Sequence, residues 1–260
     1  MGTALVAGLL DAGWAGPEEL VVVEPIAARR EELAARHAGL RVEPALRSGT
    51  EPASSPLEGA VIAVKPSNVE EACRAVTAAG VGRVLSIAAG VPLARLEEWL
   101  GPGVPVVRAM PNMAALVGCG AAAIAAGTAA READLDWAES ILGSVGTVVG
   151  VPEAQLDAVT GLSGSGPAYV FLVAEALTEA GVLVGLTREV SRALVVQTLL
   201  GSARLLVESG QSPEELRAAV TSPGGTTAAA VRALEAAGFR GVLVEAVAAA
   251  TERSRQLGQA

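Results

Sequence analysis

The sequence predicts two domains of different classes, an α/β domain over residues 1–151 and an all-α domain over residues 152–260. In the first part, short β-branched runs alternate with Ala-rich helical patterns, which is typical of βαβ units on a parallel sheet. After about residue 152 the strand pattern stops and long helical patterns follow one another. The chain opens with a helical pattern that suits a Rossmann-like dinucleotide-binding domain whose first strand is missing.

The strands of the first part are predicted at residues 20–24, 60–64, 83–87 and 104–108. Between the first two, a helix is predicted over residues 25–37, with Pro25 in its first turn, and a surface loop over residues 44–59. His37 lies in this polar helix, far from any motif, and is predicted to be a surface residue.

The helices of the second part are predicted at residues 166–180, 187–208, 213–220, 226–237 and 239–257. Thr187 and Ser212 have the hydroxyl of a helix cap and are followed by carboxylates in the first turn. Several of these helices are apolar on more than one face, so about a hundred residues would not bury them alone. A homodimer or a higher homo-oligomer is therefore expected.

Composition and charge argue against several classes of partner. A net charge of -9 leaves no basic surface for a nucleic acid. The most apolar stretch, residues 168–186, is interrupted by Glu175 and Glu179, so we interpret it as a buried helix and expect no membrane span. Cys73 and Cys119 form no metal-binding or redox spacing, and no signal-peptide pattern opens the chain. The cytoplasm is the expected compartment, with no metal.

The opening of the chain resembles the end of a dinucleotide-binding motif. Met1 to Leu10 form a helical pattern, whereas a strand and a Gly-rich turn would precede such a helix in a complete motif. Gly2 is the one position that could belong to that turn, and Glu24, at the end of the next strand, is suitably spaced to bind the adenosine ribose. Taken alone, these two residues fit an ordinary helix start and a strand-end carboxylate equally well. Since a missing central strand would leave the sheet exposed and the cofactor loop absent, we treat the opening as truncated, as a hypothesis.

Five segments carry a resemblance to a known family, namely residues 63–66, 86–90, 108–112, 157–169 and 220–227. In order and spacing they resemble the pyrroline-5-carboxylate reductase family, and the last two look like its two signature blocks. The likeness covers essentially the whole chain. Two departures stand out: the opening strand and Gly-rich turn are absent, and Met113-Ala114 follows Asn112 where the family usually has Thr-Pro. The second departure suggests that one polar contact near the nicotinamide is lost.

The resemblance implies NAD(P)H-dependent reduction of the C=N bond of 1-pyrroline-5-carboxylate to L-proline, and it assigns residues to both ligands. The cofactor, NADPH or NADH, would be bound by Gly2, Glu24, Ala63, Val64, Lys65, Pro66, Ala88, Ala89, Gly90 and Asn112. The substrate would be bound by Ser222, Gly224, Gly225, Thr226, Thr227 and Asn112. Lys65 fits a solvated strand-end charge equally well, because the family contact there is mainly with the backbone.

The segment Ser222–Thr227 has the composition of an anion-binding helix start. It precedes a helical pattern and combines a hydroxyl N-cap, Pro223 in the first turn and two glycines that let a ligand touch the backbone. Free N–H groups at a helix N-terminus suit the carboxylate of a pyrroline acid. Reduction of an imine needs no strong base, so Thr227 is predicted to hydrogen-bond the ring nitrogen and position it. A capped helix start with a Gly hinge is the alternative interpretation.

Other functions fit the sequence less well. Gly161 to Ser165 match the G-x-S-x-G motif only up to its last position, and no histidine follows, which excludes a serine hydrolase. A hydroxyacid dehydrogenase of similar plan would use a lysine in the helical domain, whereas Lys65 is the only lysine here. A catalytically impaired helical dimer remains the alternative. Glu24 disfavours a 2′-phosphate while Arg29 and Arg30 could receive one, so the choice between NADH and NADPH stays open.

Overall fold

The computed structural model describes residues 1–46 and 57–259, so most of the loop predicted at residues 44–59 lies outside the described residues. Contacts divide the chain into two compact units. Unit one comprises residues 1–165 together with residues 250–260, and unit two comprises residues 166–249. The end of the last helix therefore belongs to the same unit as the strands. The domain boundary at residue 151 stays a prediction.

Unit one contains the strands β1 (Val21–Val23), β2 (Arg41–Glu43), β3 (Ala60–Ile62), β4 (Val84–Ser86), β5 (Val106–Met110), β6 (Gly120–Ala126) and β7 (Gly146–Gly150). They form two sheets, β1-β2 and β3-β4-β5-β6-β7. In a doubly wound sheet of order 3-2-1-4-5-6, the first strand lies between the second and the fourth. If β1 and β3 correspond to the second and fourth strands of such a sheet, the boundary between the two observed sheets coincides with the position of its first strand.

The sheet is mixed, which corrects the prediction of a parallel sheet. The strands β3, β4 and β5 are parallel, but β6 runs antiparallel to β5 and parallel to β7. The strand β6 was not predicted because its sequence, GAAAIAA, is mostly Ala and Gly, which are rare in strands. It forms here because it is enclosed on both faces, with Ala123 and Ile124 almost fully buried. Tertiary packing thus overrides local propensity.

The helices of unit one are α1 (Gly2–Asp11), α2 (Ala27–Arg36), α3 (Val69–Ala78), α4 (Leu93–Leu100), α5 (Glu132–Gly143) and α6 (Leu156–Val159). The opening helix is present as predicted, whereas α2 begins at Ala27 and Pro25 precedes it. The prediction that His37 is a surface residue was wrong in part. The residue ends α2 half-buried, and its Nε2 atom is enclosed without a hydrogen-bond partner among the described residues.

Helices cover the five-stranded sheet on both faces. Side chains alternate along each strand, so that Val84 and Val106 pack with α3 and α4 while Leu85 and Val107 pack with α1 and α5. All four side chains are almost fully buried. Such a two-sided core is typical of an α/β sheet and holds the ends of the strands in place.

Unit two is built from α7 (Gly166–Leu183), α8 (Arg188–Glu208), α9 (Pro213–Ala219), α10 (Thr226–Ala236) and the first part of α11 (Phe239–Gln259). Two predicted caps are confirmed. The Thr187 hydroxyl accepts a hydrogen bond from Val190 N–H at 3.3 Å, and Ser212 with Glu215 forms a capping box. Among the described residues of this unit, Ser191 is the only buried one.

Two helical stretches are long and apolar enough to cross a membrane by length and composition, residues 153–183 and Arg188–Glu208. The most apolar part of the first stretch has no buried residues, and 6% of the most apolar part of the second is buried. The prediction that residues 168–186 form a buried helix therefore does not hold within a single chain, because α7 has no buried residue.

Candidate active site

Three of the predicted cofactor segments follow neighbouring parallel strands at one edge of the sheet. Ile62, Ser86 and Arg108 are register partners on β3, β4 and β5. Residues 63–66 follow the first of these strands, residues 88–90 the second, and Asn112 the third. Open α/β sheets bind ligands at the carboxyl ends of their strands.

The start of α1 lies at the same edge. A Cβ atom added to Gly2 would come within 3.3 Å of the Cβ atom of Ala63, so the first residue of α1 lies beside the turn after β3. The N–H groups of Ala4 and Leu5 both donate to the Met1 carbonyl, and α1 has no side-chain cap. The uncapped N-terminus of this helix can attract an anionic group.

The turn after β4 depends on Gly90, whose φ angle is +75°. Side chains rarely adopt that region, so a glycine is favoured there. The end of α11 packs close to this turn, because a Cβ atom on Gly90 would lie 3.8 Å from the Leu257 carbonyl oxygen. The Ser86 hydroxyl also accepts a hydrogen bond from Ala88 N–H at 3.4 Å. The backbone of this turn is thus held from two sides.

Glu24 and Arg30 meet at the end of β1. One carboxylate oxygen of Glu24 accepts a hydrogen bond from Ile26 N–H at 2.9 Å. The Arg30 guanidinium donates to the carbonyl oxygens of Glu24 and Pro25 at 2.9 Å and 2.8 Å. An acidic group that suits a ribose and a cation that suits a phosphate are therefore side by side at the end of β1.

Lys65 is exposed in the turn after β3, as are Ala63, Val64 and Pro66. Its backbone is extended, and its carbonyl accepts the Asn68 N–H at 2.9 Å, so that a short 3-10 turn follows. This placement fits both the cofactor contact and the solvated strand-end charge.

Asn112 is engaged within the protein on both sides of its amide. Its Oδ1 atom accepts hydrogen bonds from Ala114 N–H at 3.2 Å and from Ala121 N–H at 3.1 Å. Its Nδ2 atom donates to the Ser163 carbonyl at 3.1 Å. The oxygen has both lone pairs in use, so a ligand could meet only the remaining N–H of this side chain. Sequence reasoning did not foresee this network.

The segment Ser222–Thr227 lies in unit two and differs from the prediction in its cap. The helix α10 begins at Thr226 with Gly225 as its N-cap and no side-chain cap, so Ser222 does not cap it and Pro223 is not in its first turn. Instead, Gly225 N–H donates to the Ser222 carbonyl at 3.1 Å and closes a turn in which Gly224 has φ +71°. Because Gly occupies the N-cap, the first N–H groups of α10 are left for an anion.

The two cysteines differ in burial and reactivity. Burial raises the pKa of the Cys73 thiol to about 11, with a smaller contribution from Glu70, so this thiol stays protonated and unreactive. Cys119 is exposed. No group of three or more His, Cys, Asp or Glu side chains that could hold a metal ion occurs in residues 1–46 and 57–259.

Comparisons of sequence and structure agree on one family. The family profile described as "Pyrroline-5-carboxylate reductase dimerisation" matches residues 153–257. A pyrroline-5-carboxylate reductase from Synechocystis is 44% identical, with 100% of this chain and 95% of the relative covered. One from Mycobacterium tuberculosis is 43% identical over 99% of this chain and 93% of the relative.

Solved structures give the same result. The pyrroline-5-carboxylate reductase from Coxiella burnetii superposes with a TM-score of 0.89 at 36% identity, covering 98% of this chain and 93% of that one. The pyrroline carboxylate reductase from Plasmodium falciparum, solved with NADP bound, has a TM-score of 0.81 at 32% identity and covers 99% and 94%. The fold shared with each of these two structures therefore extends over nearly all of this chain and of theirs.

Proposed function

The chain belongs to the pyrroline-5-carboxylate reductase family, and we propose that it uses NAD(P)H to reduce 1-pyrroline-5-carboxylate to L-proline. The observation that carries this assignment is the edge of the sheet, where the turns after β3, β4 and β5 lie next to one another as a dinucleotide would require. Similarity over 95% and 93% of the length of two relatives supports the same reaction.

The cofactor would lie along this edge. The start of α1 beside Ala63 offers N–H groups to an anionic part of the dinucleotide, and Glu24 accepts hydrogen bonds from the adenosine ribose. The turns at residues 63–66 and 88–90 would contact the cofactor through their backbones. When bound, the dihydronicotinamide supplies the hydride.

The substrate carboxylate would be held by the start of α10. Gly224 and Gly225 leave the backbone accessible, and the N–H groups of Thr226 and Thr227 point out of an N-terminus whose dipole favours an anion. The Thr227 hydroxyl would hydrogen-bond the ring nitrogen and fix the orientation of the substrate ring. The half-buried position of Thr227 supports such a confined role.

We place the active protein in a homodimer in the cytoplasm. The match of residues 153–257 to a dimerisation family supports the dimer, and so does unit two, where Ser191 is the only buried residue among those described. A second copy of the chain would cover the exposed apolar faces of the two helical stretches that are long and apolar enough to cross a membrane. The cytoplasm is supported by two cysteines that form no disulfide.

The role of Thr227 is tested by two substitutions that differ in one group. Thr227→Ala removes the hydroxyl, and we expect kcat to fall by roughly tenfold to a hundredfold while the dimer persists. Thr227→Ser keeps the hydroxyl and should retain most of the activity. Oxidation of NAD(P)H by the chain with 1-pyrroline-5-carboxylate measures both. Unchanged turnover of Thr227→Ala would remove this residue from the mechanism.

A second experiment tests whether activity needs an additional strand and Gly-rich turn before residue 1. NAD(P)H oxidation is measured for residues 1–260 and for a form extended upstream by one strand and a Gly-rich turn. Activity in the extended form alone would support both the reaction and the truncation hypothesis. Activity in neither form would favour the alternative, a catalytically impaired helical dimer of the same fold.

A further inference from the structure

A π-helical turn joins the sheet-containing unit to the long helix α7. After α6, residues Thr160–Gly164 form this turn, and Ser165 N–H donates to the Thr160 carbonyl at 2.8 Å, one residue further than in an α-helix. Such turns are rare and are frequently found at functional sites.

Pro167 cannot supply the hydrogen bond that α-helical spacing would give to the Ser163 carbonyl. In an α-helix, the carbonyl of Ser163 would accept from the N–H of residue 167, but proline has no N–H. The Asn112 Nδ2 atom donates to the Ser163 carbonyl at 3.1 Å, so a side chain from the end of β5 supplies a bond that Pro167 cannot. The donor comes from 51 residues away in the sequence.

The orientation of the Asn112 amide follows from its other partners. Two backbone N–H groups, of Ala114 and Ala121, point at one end of the amide, which must therefore be the oxygen. The nitrogen then faces the Ser163 carbonyl. One side chain thereby ties the end of β5 to the 3-10 turn that follows it, to β6 and to the π-helical turn.

Packing brings the same two segments together a second time. A Cβ atom on Gly164 would come 2.7 Å from the Cε atom of Met110, the last residue of β5. A side chain at position 164 would therefore have to shift the terminal methyl group of Met110. The hydrogen bond and the contact are independent observations of one junction.

We propose that Asn112 is a positioning residue, which locks the π-helical turn Thr160–Gly164 to the cofactor edge of the sheet by replacing the hydrogen bond that Pro167 cannot make. The residue acts through the backbone it holds, in place of the direct ligand contact that the sequence suggested. Only the kinetic effect expected from this proposal rests on the proposed function.

The test combines substitutions at both ends of the lock. Asn112→Asp keeps acceptors for Ala114 and Ala121 but turns an oxygen toward the Ser163 carbonyl, and Asn112→Ala removes the side chain without adding charge. Pro167→Ala restores a helical N–H that can donate to Ser163. In the double variant Asn112→Ala with Pro167→Ala, part of the lost function should return. Such a partial recovery would show that the two positions are energetically coupled, which neither single variant can show.

Two readouts are measured for each variant. Hydrogen exchange of the amides in residues 160–166, without any ligand, should be faster by roughly tenfold or more in Asn112→Ala and should slow again in the double variant. Steady-state kinetics should show kcat lowered by roughly tenfold with both KM values changed by less than about threefold. Pro167→Ala alone should stay close to the unsubstituted chain in both.

The outcomes separate the two roles. Raised KM with unchanged exchange, and no recovery in the double variant, would make Asn112 a direct ligand contact and overturn the proposal. If the unsubstituted chain does not reduce 1-pyrroline-5-carboxylate, the proposed function fails, whereas the exchange measurement still decides whether the lock exists.

Discussion

At the scale of single residues, the candidate site depends on backbone geometry more than on reactive side chains. The turn after β4 requires the positive φ of Gly90, and the turn before α10 requires that of Gly224. Cys73, a nucleophile by residue type, is held protonated by its burial. Reduction of an imine with a supplied hydride is compatible with such a site, because positioning contributes more to it than acid–base chemistry.

Gly90 gives a prediction at this scale. Gly90→Ala places a side chain at φ +75°, which costs about 1–2 kcal/mol, and brings its Cβ atom close to the end of α11. We expect a lower free energy of unfolding and a raised KM for NAD(P)H.

Gly143→Ala is the matched control, because Gly143 lies in α5 with open space around its Cβ position. It should be neutral or stabilise the chain by up to about 1 kcal/mol. Urea titration compares the two variants, and equal stability would show that the turn tolerates a side chain.

At the scale of elements, the last helix, α11, has residues in both units. Its final residues, from Ala250, belong to unit one, where the Ser254 hydroxyl donates to the Asp157 carboxylate at 2.6 Å. Ser254 is only 7% exposed, so this hydrogen bond to a charged group is shielded from water. The end of α11 is thereby anchored next to the Gly90 turn.

Removing this anchor should loosen the end of α11. Ser254→Ala leaves a carboxylate oxygen of Asp157 without its donor, which we expect to lower the free energy of unfolding by about 1–3 kcal/mol. Arg253→Ala, at the exposed position before it, should change stability by less than about 0.5 kcal/mol. The midpoints of urea unfolding measure both, and a Ser254→Ala chain as stable as the Arg253→Ala chain would contradict the anchor.

At the scale of the whole molecule, the two units differ in how they bury apolar surface. Unit one has an apolar core on both faces of its sheet. Unit two exposes large apolar side chains, among them Leu172 at 66% and Val207 at 84%. Exposed apolar patches of this kind mark interfaces, and residues 153–257 match a dimerisation family.

A charge in unit two should therefore prevent assembly. Leu172→Glu would place an unpaired carboxylate within an apolar interface, which costs several kcal/mol, so we expect a monomer or an unfolded chain in place of a dimer. Val149→Glu puts the same charge at an exposed apolar position of β7 in unit one and should leave the dimer intact. Light scattering after size-exclusion chromatography measures both masses. A dimeric Leu172→Glu chain would exclude α7 from the interface.

The sequence by itself determined the fold class, the family and the starts of the helices in the second part of the chain. The reason is that these depend on local signals: β-branched runs, the capping residues Thr187 and Ser212, and motif blocks around residues 157–169 and 220–227. Such signals require no knowledge of distant contacts.

Tertiary structure alone decided the strand β6, the cap of α10 and the partners of Asn112. Alanine and glycine in β6 form a strand because β5 and β7 supply hydrogen bonds and the core covers both faces. Ser222 closes a turn where capping was expected, and Asn112 completes the bond that Pro167 lacks. Each of these depends on groups brought together by folding, and a linear pattern carries no record of such proximity.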